Sequence, residues 1–147
     1  MSDHDAADVA AFAQELIDER HGYLSWLDTR VDDIEPGTAV LTIPFDGKLT
    51  NPTEPPSVHG GVAATLIDTA GGMALQTTLE NPFEGGSATI NLNVNYLRRA
   101  DGDLTATAEV IRSGGSVGWA DVVVESPDAE GEVRPVAVGQ VAYRLFQ

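Results

Sequence analysis

The chain contains no cysteine. That excludes disulfides, thiolate metal sites and cysteine nucleophiles. Of its eight basic residues only one is a lysine, Lys48, against 23 acids, giving a formal charge of −15. A surface of this sign repels nucleic acid and anionic membranes, so neither is expected as a partner. Aromatics make up only 6% of the chain. No apolar run approaches the length of a membrane-spanning helix. The first residues, Met1-Ser2-Asp3-His4-Asp5, are acidic and carry no apolar signal segment. The expectation is a soluble cytoplasmic protein. The three histidines are scattered without metal-ligand spacing, so no metal is expected. No phosphate-cradling glycine loop of the nucleotide type is visible either.

What is present is enough apolar sequence for one domain with a real core. The 147 residues fit a single unit. The acids are dispersed between apolar runs, unlike those of an acidic disordered chain. Self-repulsion of this size is screened by salt, so the expectation is a high-salt cytoplasm, as in a halophilic organism; the competing reading is an ordinary acidic protein of a mesophile.

Residues 6–20 carry Val9, Phe12, Leu16 and Ile17 at helical spacing, which predicts an N-terminal amphipathic helix. Residues 23–34 and 38–45 read as strands around the turn Glu35-Pro36-Gly37. Residues 46–58 hold Pro52, Pro55 and Pro56 and read as an irregular loop. Residues 60–79 predict a central helix that is apolar on more than one face and therefore largely buried. Gly71 and Gly72 weaken it, which suggests close approach by another backbone. Thr89 to Tyr96 alternates apolar and polar residues, as a half-buried strand does. Strands at 104–111, 117–124 and 133–146 follow, joined by short turns that favour antiparallel pairing. The economical solution is an α+β domain, an antiparallel sheet wrapped around one buried helix.

The chemistry concentrates in Val58-His59-Gly60-Gly61 and the helix it opens. A helix N-terminus offers free N–H groups and positive potential. Asp68 is a lone acid among Leu66, Ile67 and Ala70, a costly arrangement unless the acid has a partner or a task.

Asn51-Pro52, His59-Gly60-Gly61, Leu66-x-Asp68-x-Ala70, the strand Thr89 to Tyr96 with Leu97-Arg98-Arg99-Ala100, and the pattern from Gly131 through Val138 to Tyr143 together resemble the hotdog superfamily. The resemblance runs from about residue 20 to the end. It is closest to the acyl-CoA thioesterase branch typified by phenylacetyl-CoA thioesterases. The loop between Asn51 and His59 is longer than that branch usually holds.

The resemblance implies hydrolysis of an acyl-CoA, possible aryl-acyl groups included, with no cofactor beyond the CoA of the substrate. The carbonyl is polarised by the Gly60 or Gly61 N–H, assisted by His59 and Asn51. Asp68 acts as base or nucleophile, and Thr89 supports it. Arg98, Arg99 and Arg112 suit the phosphates of CoA, with Gly114 in the turn after Arg112 as a further contact. The competing reading of each arginine is pairing with surface acids. A non-catalytic acyl-CoA-binding protein and an acyl-CoA hydratase are the alternative functions of such a fold.

His59 and Asp68 are nine residues apart, roughly half a turn out of phase and about 13 Å apart along one helix. Either they do not cooperate, or a second subunit brings its Asp68 to this helix start. The resemblance implies the second: a homodimer with shared sites, or a homotetramer built as a dimer of dimers. Gly71 and Gly72 would then suit helix packing across the two-fold axis.

Overall fold

A computed structural model describes residues 3–146. Helix α1 (Asp3–Arg20) and short α2 (Gly22–Trp26) precede strands β1 (Arg30–Glu35) and β2 (Thr38–Ile43). The long helix α3 (Gly60–Gln76) follows, then β3 (Gly86–Tyr96), β4 (Leu104–Ser113), β5 (Val117–Pro127) and β6 (Val133–Phe146). The strands form one antiparallel sheet in the order β1-β2-β4-β5-β6-β3. Helix α3 touches all six strands, so the sheet curves around it as the α+β reading requires.

The core explains the packing. Leu66, Ile67, Ala70, Ala74 and Leu75 of α3 are fully buried against alternate residues of the sheet, such as Leu41, Ala106, Val122 and Val141. Burial of a leucine or isoleucine side chain stabilises by about 1.5–3 kcal/mol. The helix therefore tolerates two glycines in its middle.

Those glycines correct one expectation. A Cβ on Gly71 would lie 2.1 Å from Val141 Cγ1, and one on Gly72 would lie 2.6 Å from the Tyr143 hydroxyl. They let α3 settle onto β6 of its own chain; they are not reserved for a second helix.

Three further expectations shift. Residues 23–34 are not one strand. The His21 ring accepts the Leu24 N–H at 3.2 Å and starts α2, and Asp28 with φ 57° turns the chain into β1. The central helix stops at Gln76 rather than residue 79, because the Thr77 and Thr78 hydroxyls turn back onto the carbonyls of Ala74 and Leu75. Strand β3 is exposed on nearly every residue rather than half-buried, with Ile90 at 57% and Leu92 at 38%. It is an edge strand paired only with β6; Val94 packs against the core, while Ile90 and Leu92 stay uncovered among the described residues. No helix among the described residues is long and apolar enough to cross a membrane.

Candidate active site

The start of α3 is built by a hydrogen-bond relay. His59 is the N-cap, and its Nδ1 accepts the Gly61 N–H at 2.8 Å. The carbonyl of the same peptide, Gly60 O, accepts the Tyr96 hydroxyl at 2.7 Å. A Cβ on Gly60 would lie 3.0 Å from the Tyr96 ring, so glycine is what lets the phenol reach that carbonyl.

Two consequences follow. The Gly61 N–H is already engaged, whereas the Gly60 N–H has no acceptor among the described residues. Of the two glycines, Gly60 is the one left with a donor to offer. An imidazole that accepts through Nδ1 carries its proton on Nε2, so His59 also offers a donor.

Asn51 belongs to this end. Its loop is closed by the Thr50–Val58 bridge and by Asn51 N donating to Ser57 O at 2.8 Å. The extra length folds outward, and Asn51 lines a cavity of about 340 Å³ with His59, Gly60 and Tyr96. Arg98 and Arg99 line the same cavity. Arg99 is partly committed, since Nη2 donates to Pro55 O at 2.5 Å. Arg98 has no ion pair among the described residues.

Arg112 and Gly114 lie elsewhere. They sit at the β4–β5 turn, which is tied to the C-terminal end of α3 by Thr78 and Ser113 at 2.8 Å. Within one chain the expected set of three arginines is therefore split between opposite ends of the helix.

Asp68 is half-buried in the middle of α3. Its Oδ1 accepts from Thr89 Oγ1 at 2.7 Å and from the Tyr143 hydroxyl at 2.7 Å. The same phenol approaches the Asp68 carbonyl at 2.6 Å. Oδ2 has no partner among the described residues and is left to meet a water or a substrate. Burial, with the neighbouring carboxylate adding to it, pushes the Tyr143 phenol up; the Thr89 hydroxyl opposes the shift. Tyr143 therefore stays a donor throughout the neutral range.

Tyr143 is the site residue that the sequence did not single out for this role. Its signal is the sheet register: Thr89 and Tyr143 face each other across β3 and β6, next to a bulge at residues 89–91. Two donors on adjacent strands thus converge on one carboxylate.

Asp68 and Tyr143 line a second cavity, of about 580 Å³, which contains neither His59 nor Gly60. So one chain carries a donor cluster in one cavity and an oriented carboxylate in another. No cluster of three or more metal-ligating side chains exists among the described residues.

Comparison with known proteins bears on both. Residues 56–132, from the Pro-rich loop through β5, match the Thioesterase superfamily. A provisionally named esterase of Halobacterium salinarum is 48% identical over 100% of this chain and 99% of its own. A thioesterase family protein from Silicibacter pomeroyi superposes with a TM-score of 0.81 at 24% identity, covering 95% of this chain and 97% of that one. A thioesterase from Haemophilus influenzae gives 0.79 at 20% identity, covering 94% and 90%. The fold of the chain is the hotdog fold of these proteins.

Proposed function

The chain belongs to the Thioesterase superfamily, and from that premise we propose that it hydrolyses acyl-CoA thioesters, aryl-acyl esters included, in sites shared by two copies of itself. The observation that supports this reading most is the separation of the two half-sites along α3. The Gly60 N–H and the His59 Nε2–H would hold the thioester oxygen as negative charge develops on it. Asp68 of the other copy would face the carbonyl carbon. There it takes a proton from the attacking water and the CoA thiolate leaves, or it attacks directly, expels the thiolate and forms a mixed anhydride that water then hydrolyses. Neither course needs a cofactor. The exposed edge of β3, with Ile90 and Leu92 uncovered, is suited to burial by the second copy. Arg98 is the cation best disposed toward a CoA phosphate.

The charge of −15 and the likeness to a Halobacterium salinarum protein favour work in a salt-rich cytoplasm, so assays belong at high salt. The decisive test mixes His59→Ala and Asp68→Ala proteins, each inactive alone, under subunit exchange. A mixed dimer has one intact site, so thiol release should return to about one quarter of the wild-type value at equal mixing. No recovery, in a mixture shown to have exchanged, would sink the shared site. Turnover in ¹⁸O-water then separates the two roles of Asp68. Label found on Asp68 after a single turnover shows nucleophilic attack with the anhydride opened at the Asp68 carboxyl carbon, whereas general-base attack can label only the acid product.

A further inference from the structure

The second cavity extends along α3 well beyond Asp68. Asp68, Thr69, Gly72, Met73 and Gln76 all line it, a run of about 12 Å along the helix axis. Asp68 is the first of these and Gln76 the last, so the carboxylate stands at one end. Between the ends, Leu16 and Ile17 of α1 and Met73 of α3 supply apolar wall.

The other end is bordered by aromatic rings. Gln76 Nε2 donates to Pro82 O at 2.8 Å and to Gly85 O at 2.6 Å, which holds the 81–85 turn at that end of the helix. Phe83, in this turn, meets Phe12 of α1 edge-on, with centroids 5.4 Å apart and planes at 75°. Both rings are more than a third exposed, so they border the cavity without sealing it.

We infer that this cavity receives the acyl group, that its occupant is an uncharged medium-length alkyl or aryl-alkyl chain, and that the Phe12–Phe83 pair sets the chain length. The inference rests on the acyl-CoA reading above and adds the acyl class to it. A chain anchored at Asp68 and lying along α3 has about 12 Å to run. Three extended backbone bonds span about 3.5 Å, so roughly ten atoms fit before the rings are met. Asp68 is the cavity's one carboxylate, and it disfavours an acyl group that ends in a second carboxylate. Arg20 and His21 also line the wall and are exposed. They are the groups that would favour such an acid instead, so the test includes one.

The experiment measures thiol release from straight-chain acyl-CoAs of two to fourteen carbons, from phenylacyl-CoAs and from glutaryl-CoA. The same ligands are titrated calorimetrically onto Asp68→Asn, which reports binding where turnover is abolished. The expected wild-type profile rises by about fourfold in kcat/KM per added methylene, then falls once the chain reaches the rings. Phe83→Ala and Phe12→Ala open the far end and should move the optimum to longer chains. Phe83→Trp should move it to shorter ones. An optimum that stays put in all three variants overturns the inference, as does tighter handling of glutaryl-CoA than of hexanoyl-CoA. Length-dependent binding to Asp68→Asn without wild-type hydrolysis would keep the acyl cavity and reject only the hydrolytic reading.

Discussion

At its N-terminus α3 offers donors, the Gly60 N–H and the His59 Nε2–H, on an accessible surface beside Arg98. About two and a half turns further on, the same helix offers an acceptor, Asp68, steadied by two hydroxyls at the end of an apolar cavity. Each region holds what the other lacks. A carboxylate beside these donors would bind them, and both would be spent on each other. Spacing them along a rigid helix keeps the donors and the acid from binding each other, which is what the proposed site shared by two copies requires.

The comparison breaks first at the acid. Asp68→Asn keeps the hydrogen bonds to Oδ1 but loses the charge, so kcat should fall by on the order of 10³. Circular dichroism should be unchanged. Near-normal thiol release from that variant would remove Asp68 from the chemistry.

Tyr143→Phe tests whether the orientation of the acid matters. It removes the donor shared by Asp68 Oδ1 and the Asp68 carbonyl, which should cost about 1 kcal/mol of stability and about tenfold in kcat. Alkaline unfolding adds a check with a definite sign. The folded phenol ionises above its ordinary value of 10.0. Its contribution is therefore complete below pH 10 and lost as the pH climbs through the folded value. The wild type should lose stability above pH 10 more steeply than Tyr143→Phe, and equal slopes would contradict the buried, donating phenol.

At the donor end, Tyr96→Phe breaks the relay into Gly60 O and leaves the Gly60 N–H in place. Tyr96 is a positioning residue, so the expected loss is smaller, about threefold to fivefold in kcat with KM unchanged. A loss in KM alone would point instead to the cavity wall.

The smallest effect belongs to the cations. Arg98→Ala combined with Arg99→Ala should raise KM for a CoA ester about twofold at low salt and leave kcat alone. The difference should shrink as salt screens the phosphates. An unchanged KM at low salt would remove both residues from substrate binding.

Much of this geometry could be read before any coordinates. The apolar positions of residues 62–75 announce a buried helix, and a histidine followed by two glycines announces its start. Half a turn of phase between His59 and Asp68 already separates the half-sites. What stayed hidden depends on contacts between distant residues. Tyr143 lies 75 residues from Asp68, and only the β3–β6 register brings it beside Thr89. The role of Gly72 is hidden for the same reason, since its neighbour is that same phenol. Helix α2 was missed because a five-residue turn set by one histidine cap carries no periodicity. The choice between Gly60 and Gly61 turns on one imidazole lone pair, which spacing cannot reveal.

That lone pair has a wider consequence. One ring carries two duties: Nδ1 fastens the first turn of α3, and Nε2–H is the donor left over. His59→Ala removes both at once, whereas His59→Asp would keep a cap for the helix start and lose only the donor.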